Sequence, residues 1–580
     1  MATATGLPTI PPLKRLWSLI SVDKKEITNI YLYAIFTGLV NLSLPLGIQA
    51  IINLIQGGEV STSWVLLVVI VILGIAMTGF LQIMQLTITE SIQQKIFTRS
   101  AFEFAYRIPR IKFSAVYQSY APELVNRFFD TLSVQKGLSK ILIDFSSALL
   151  QVIFGLILLS LYHPFFVLFG IGLVMIVFLI IRLTGPSGMR TSIMESKYKY
   201  EVAHWLEEVA RTMFTFKLAG KTELPLERTD GLVGNYLKSR RAHFRILVLQ
   251  YANMVGFKVI VAAGLLIIGS LLVFDQQLNL GQFVAAEIII LLIINSVEKV
   301  ILAMETIYDV LTALEKIGNV TDLPLENDEG ETFTGEYEEK GMSLELRNVT
   351  FTFPYSQKPI LRNLTLRLEP GEKVCISGPN SSGKSTLVHM MAGLYEVNEG
   401  TISYNDLPIG NLNIGSLRSF IGDSLTHEEI FKGSLMENIS VGRERATLEN
   451  VRWAVEQVGL SDFVKSLPKG LNTELDPEGR KLSRSITRKL ILARSIADKP
   501  RLLLIEDAMG VIQLQERLKI MNCLTDKNNP WTLVLVSNEK EVAQRCDRVI
   551  ILNEGEIVDD GPISELTSHH WFKSIFDAEH

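Results

Sequence analysis

Cysteine is scarce. Cys375, Cys523 and Cys546 are the only three in 580 residues, too few and too scattered for a disulfide framework or a zinc cluster, and they fit a reducing cytosol. A surplus of basic charge is also missing: 56 Lys and Arg face 61 Asp and Glu, a net charge of -5, so no global positive field marks nucleic acid as a partner. Charged residues make up only 20% of the chain while 48% is hydrophobic, and the mean hydropathy is +0.27. Those values exclude global disorder and exceed what an ordinary soluble protein shows. No cleavable signal is visible, because the first long apolar stretch, from near Ile27, lacks a small-residue cleavage site and is long enough to span a bilayer. His204, His243 and the His569-His570 pair lack metal-ligand spacing and read as solvated surface groups.

What is present first is a series of apolar runs. A helix needs about 20 apolar residues to cross the hydrocarbon core. Six spans are expected at about 27–56, 61–89, 141–161, 164–183, 245–274 and 279–308. The segments 90–140 and 182–243 are rich in Lys and Arg, whereas the connections 57–63, 162–164 and 275–278 contain neither. By the positive-inside rule the two basic segments and both termini are cytoplasmic, and the expected location of this multi-pass protein is the plasma (inner) membrane. Ile96, Phe97, Phe102, Phe104 and Ile108 keep helical spacing, so helices continue beyond the bilayer and turn back. Pro109 and Phe214-Thr215-Phe216 are the expected turns that touch a partner domain.

Three charges fall inside the spans, where exposure to lipid costs several kcal/mol. At a rise of about 1.5 Å per residue, Lys258 and Glu298 lie roughly 24 and 28 Å from the outer ends of their helices. They are expected to pair. Glu287, only about 12 Å down, has no obvious partner and is read as facing a polar translocation cavity or bonding to a neighbouring helix.

Near residue 320 the composition changes. An acidic stretch, 322–341, reads as a linker between a transmembrane domain over 1–321 and a nucleotide-binding domain over 342–580. In the second half, apolar strands at 346–353, 373–377, 501–505, 532–536 and 548–552 alternate with helical segments, which predicts an α/β domain with a largely parallel sheet. Its strongest motif is Gly378, Pro379, Asn380, Ser381, Ser382, Gly383, Lys384, Ser385 and Thr386, between an apolar strand and a helix. Such glycines let backbone N–H groups surround phosphate oxygens, Lys384 reaches the terminal phosphates, and Ser385 ligates Mg²⁺. Cys375 reads as core packing. The tail from Ser564, with Trp571 and Phe572, is expected to pack on this domain as a helix.

With these motifs the chain resembles the ATP-binding cassette transporters, in particular exporter half-transporters with an N-terminal six-helix domain. Phe351-Thr352-Phe353-Pro354 is similar to the loop whose aromatic residue stacks on adenine, which gives that role to Phe353. The series from Phe431-Lys432-Gly433-Ser434 through Ala493-Arg494 to Asp547-Arg548-Val549 sits at family spacing, as do Pro122-Glu123-Leu124 and Leu280-Gly281-Gln282. The resemblance implies a multi-domain protein: an all-α six-helix transmembrane exporter domain followed by an α/β P-loop cassette that takes ATP and Mg²⁺. It implies the lipid bilayer and a second half-transporter, as homodimer or heterodimer, as partners, and it admits a periplasmic adaptor.

Departures from the family pattern are concentrated where hydrolysis is carried out. The glutamine that couples Mg²⁺ to the membrane domain is Thr426. The signature loop reads Leu482-Ser483-Arg484-Ser485-Ile486, and the paired carboxylates read Glu506-Asp507 instead of Asp-Glu. The switch histidine is Asn538, and the aspartate of the next dimer-contact loop is Gln513. Glu506, the expected Mg²⁺ residue, is one methylene longer than the aspartate it replaces, and Asp507 is one methylene shorter than the usual base. Displacing a general base costs about 10²–10⁴ in rate, and asparagine cannot relay a proton. Arg484 and Ser485 replace glycines that allow close approach to the phosphate on the facing protomer, or Arg484 supplies charge to it. Phe353, Gly378, Gly383, Lys384, Ser385 and Thr386 remain, so nucleotide binding, to which Ser483, Arg484 and Ser485 of a facing chain would add, is expected to be favoured over fast turnover. Two readings stand: an exporter half driven by ATP, and an ATP-binding, hydrolysis-impaired regulatory or scaffolding subunit.

Overall fold

The computed structural model describes residues 10–57, 62–117, 121–334, 341–354, 356–425, 429–506 and 509–576. The chain forms two compact units. One contains the helices up to Leu323 except for Ile111–Tyr117; the other contains Ile111–Tyr117 together with Pro324 onward.

In the helical unit, six helical stretches among the described residues are long and apolar enough to cross a membrane. They outrun the bilayer, as the helical spacing beyond residue 89 predicts. Thr62–Arg107 has 46 residues and Phe165–Arg211 has 47, so each is about 70 Å long at about 1.5 Å per residue, against about 30 Å of hydrocarbon. Helix ends within a bilayer cannot leave amides unpaired, and the sixth span begins with a capping box between Asn279 and Gln282. That helix, Leu280–Thr321, touches the third, fourth and fifth spans and buries Ala285, Ala286, Ile289, Ile290, Ile293 and Val297 at helical spacing. The outward faces of the second and fourth spans are apolar and exposed, for example Val65, Leu66, Val69, Ile171 and Phe178, as lipid contact requires.

The expected ion pair is present: Lys258 Nζ donates to Glu298 Oε2 at 2.6 Å. Glu287 is half-buried, and neither a hydrogen bond nor an ion pair engages it among the described residues. One expectation needs correction. His243 is buried, not solvated; its Nδ1 lies 2.9 Å from Thr191 Oγ1 and its ring meets Tyr308 edge-on, because it falls on the inward face of a helix that spacing of metal ligands does not report. Pro109 sits in the single turn Ile108–Arg110 that ends the second long helix. The segment that belongs to the α/β unit starts after it, at Ile111. Phe214 to Phe216 lie on the short helix Met213–Leu218 of the helical unit, where Phe216 packs edge-on to Trp205.

In the α/β unit a six-stranded sheet runs in the order Glu556–Gly561, Arg548–Asn553, Lys373–Ser377, Thr532–Val536, Leu502–Glu506, Ile421–Ser424. All its pairs are parallel except the first. Fully buried runs such as Leu502 to Glu506 and Thr532 to Val536 fit a sheet covered on both faces. A smaller antiparallel sheet is built on Leu344–Phe351, flanked by Leu361–Leu368 and Glu399–Tyr404. The acidic stretch is not uniformly loose. Glu326 takes both Nη groups of Arg418 at 2.6 and 2.8 Å, Glu331 N–H donates to Asn411 O at 2.8 Å, and Phe333 is buried against Phe420. Residues 335–340 lie outside the described set. The tail helix His570–Phe576 packs on the sheet edge, with Phe572 fully buried beside Cys375, Cys546 and Val549.

Lys373 opens the central strand and is buried beneath Trp531, donating to its carbonyl at 2.5 Å. Burial pulls its ammonium down to about 8, from an ordinary value near 10.5. Between those values the unfolded chain binds the proton that the folded chain does not, so stability rises with pH across that window. Denaturation of the full chain between pH 8 and 10.5 is expected to show this slope, and Lys373→Met is expected to flatten it. In the helical unit, Glu298→Gln leaves the Lys258 ammonium uncompensated and is expected to cost about 1 kcal/mol or more. Lys258→Met combined with Glu298→Leu should recover most of that loss in thermal unfolding in detergent, the signature of a coupled pair.

Candidate functional site

The strand Lys373–Ser377 lies between two parallel neighbours, with Ile376 level with Val536 on one side and Ile550 on the other. Loops at the carboxyl ends of such strands form the binding crevice of open α/β sheets. The chain leaves the sheet at Ser377, whose hydroxyl donates to Ser537 O at 2.6 Å. Gly378 follows at φ 152, where a Cβ would stand 2.1 Å from Leu552 O. No side chain fits there. Ser381 takes the left-handed φ of 65, and Gly383 takes φ 101 immediately before the helix Lys384–Met391. The loop is stitched to its surroundings, since Gly555 N–H donates to Ser382 O at 3.0 Å. The Lys384 ammonium folds back over the loop, donating to Gly378 O at 2.8 Å and Pro379 O at 2.7 Å.

Pro379, Asn380, Ser381 and Ser385 are exposed, whereas Ser382 and Thr386 are buried. This arrangement fits a phosphate chain: a backbone curl too tight for side chains, a lysine over it, and a helix N-terminus behind it. The same loop leaves the Ser385 hydroxyl exposed at the start of the helix, and Glu506 ends the strand Leu502–Glu506. Both are oxygen ligands suited to Mg²⁺.

Glu506 is 7% exposed, and its carbonyl accepts from Arg488 at 3.4 Å. Asp507 and Thr426 lie outside the described residues. Asn538 bonds the loop twice: its Nδ2 donates to Gly378 O at 3.0 Å and its Oδ1 accepts from Gly378 N–H at 3.1 Å. The amide that cannot carry a proton thus holds the loop's first glycine.

Ser483 caps the helix Arg484–Ile496, accepting from Ile486 N–H at 3.3 Å; Ser483 and Arg484 are exposed and Ser485 is half-buried. That helix packs in a different apolar core from the helix behind the phosphate loop. Phe353 belongs to an aromatic cluster with Phe351, Tyr395, Phe113 and Tyr117. Burial holds the Tyr395 phenol above its ordinary value, and nearby Tyr117 and Glu506 add to the shift. Phe351 was within sight of the motif. Tyr117, more than two hundred residues upstream, carried no local signal.

Comparison with known proteins agrees with this architecture. The family model "ABC transporter transmembrane region" matches residues 27–297, and the model "ABC transporter" matches residues 361–510. An ATP-dependent lipid A-core flippase of Methylobacillus flagellatus is 26% identical over 63% of this chain and 62% of its own length. The transport/processing ATP-binding protein ComA of Streptococcus pneumoniae is 24% identical over 78% of this chain and 62% of its own. An ABC transporter ATP-binding protein of Bacillus subtilis, YfiB, is 29% identical over 46% of each. The chain thus spans about half to just under two thirds of the length of these relatives. The solved structure of a bacterial Atm1-family ABC exporter with ATP bound superposes with a TM-score of 0.85 at 17% identity, over 97% of this chain and 99% of that one, which establishes a shared fold. The chain belongs to the ABC transporter family and carries that family's transmembrane region and ATP-binding domain on one polypeptide.

Proposed function

We propose that this chain is an exporter-type half-transporter that binds ATP with Mg²⁺ and works as a dimer, turning nucleotide over slowly. The observation that carries the binding half of this reading is the phosphate loop with Lys384 folded over it. ATP supplies the closure energy and the phosphate to be hydrolysed. Gly378, Gly383 and Lys384 hold phosphate oxygens, Ser385 and Glu506 provide Mg²⁺ ligands, and Phe353 offers a ring to the base. Ser483, Arg484 and Ser485 face outward for the phosphate held by a second subunit. The homologous relatives, a lipid A-core flippase and a transport/processing protein among them, favour an amphiphilic lipid or a peptide as cargo. The basic loops favour an orientation with the α/β unit in the cytoplasm, and the plasma (inner) membrane is the location this reading assigns.

Asn538 favours the slow limb of this proposal and the reading as a regulatory subunit. Both polar ends of its amide are spent on Gly378, and it offers no proton relay. In the helical unit, Glu287 supports a polar path. A half-buried carboxylate with no partner among the described residues is costly against lipid and tolerable against water.

The full chain in lipid nanodiscs is expected to bind Mg·ATP, and Lys384→Ala to abolish that binding. Its turnover should stay within about twofold of the Lys384→Ala blank. The combination Glu506→Asp, Asp507→Glu and Asn538→His should raise turnover by about 10², the low end of what a positioned base contributes. Turnover by the unaltered chain well above the blank would instead establish an autonomous pump. Where transport of a cargo is measurable, Glu287→Leu is expected to abolish it while leaving ATP binding unchanged.

A further inference from the structure

Phe353 is the ring on which the base is read to stack, and one of its faces is covered. Tyr117 lies nearly parallel to it, with ring centroids 5.0 Å apart and 23° between planes, the offset-stacked arrangement that aromatic pairs prefer. Phe351 and Tyr395 stand almost perpendicular to Phe353 at 4.9 and 5.6 Å. Tyr117 is therefore the one ring in the cluster that meets Phe353 as a base would.

Tyr117 is 41% exposed, its hydroxyl has no hydrogen-bond partner among the described residues, and the rings it meets there are Phe353 and Phe113, with Tyr395 near enough to feel its charge. The base of the segment is anchored more firmly. Lys112 N–H donates to Pro324 O at 2.9 Å, Lys112 Nζ pairs with Glu396 at 2.7 Å, and Phe113 packs edge-on to Tyr395 at 5.4 Å. A firmly anchored stem carrying a partly exposed ring held by aromatic contacts can release the ring without dismantling the segment. The cluster borders a cleft of about 680 Å³ lined by Tyr117, Phe113, Phe353, Tyr395 and their neighbours, which leaves room for a ring to move.

We propose that Tyr117 is a base surrogate: it occupies the Phe353 face that a nucleobase requires, so that base and tyrosine compete for one ring. The inference rests on the nucleotide-binding reading above. The phosphate loop would hold the triphosphate whether or not Tyr117 has left, while the base contributes only after displacing it. Tyr117 thereby sets how strongly the site distinguishes a nucleotide from a bare triphosphate.

The test is equilibrium binding of Mg·ATP and Mg·tripolyphosphate to the full chain in nanodiscs, since tripolyphosphate has no base to compete. Tyr117→Ala is expected to tighten ATP about tenfold, equivalent to about 1.4 kcal/mol, and to leave tripolyphosphate within about twofold. Tyr117→Phe keeps the ring and should retain the unaltered affinity. Adding Phe353→Ala to Tyr117→Ala should cancel the gain. ATP affinity unchanged or weakened by Tyr117→Ala overturns the proposal, as does a parallel gain for tripolyphosphate. If binding is Lys384-dependent yet indifferent to Tyr117, this inference alone fails; if ATP binds to no variant that retains Lys384, the nucleotide reading fails with it.

Discussion

A backbone curl with no room for a side chain governs the α/β unit. Gly378 turns away from the sheet where a Cβ would meet Leu552 O at 2.1 Å, and Gly383 turns into the helix at φ 101. Gly378 depends on neighbours that come from the far end of the sequence, since Leu552 presses on it, Gly555 bonds the loop at Ser382, and Asn538 grips it from both sides, whereas Gly383 is crowded first by Leu361 and Ile360. The parallel sheet exists, in functional terms, to bring these strand ends level. Ile376 and Val536 pair in register with their chain continuing into Ser377 and Ser537, whose hydroxyl-to-carbonyl bond joins the two loops.

The groups that shape the phosphate loop obey steric limits. Asn538 serves the architecture of that loop, since an asparagine amide provides both a donor and an acceptor and Gly378 uses both. A histidine at that position offers one donor and one acceptor on opposite sides of a ring, which cannot bond an adjacent N–H and C=O in the same way.

In the helical unit the constraint is different. Every amide within the bilayer has to be bonded inside its own segment, so length and apolar composition suffice to recognise the spans, and the Lys258–Glu298 pair follows from depth along two helices. Where the helices leave the bilayer, composition stops being informative. The basic segments look alike in charge, yet one of them contributes Ile111–Tyr117 to the α/β unit. The acidic stretch that reads as a linker includes Glu326, which is paired with Arg418, and Phe333, which is buried. Charge density reports solvent contact on average and says nothing of a partner elsewhere in the chain.

Sequence alone determined the elements whose causes are local: six apolar runs, and the glycine spacing of a phosphate loop between a strand and a helix. Spacing along one helix or one loop encodes these, because the residues concerned are neighbours in the chain. Tertiary structure alone decided what distant residues do to one another. It buried His243 beside Tyr308, committed Asn538 to Gly378, and laid Tyr117 on Phe353 across more than two hundred residues. Such contacts arise from packing, which depends on shape in three dimensions, and hydrophobic pattern specifies which face is buried without specifying against what.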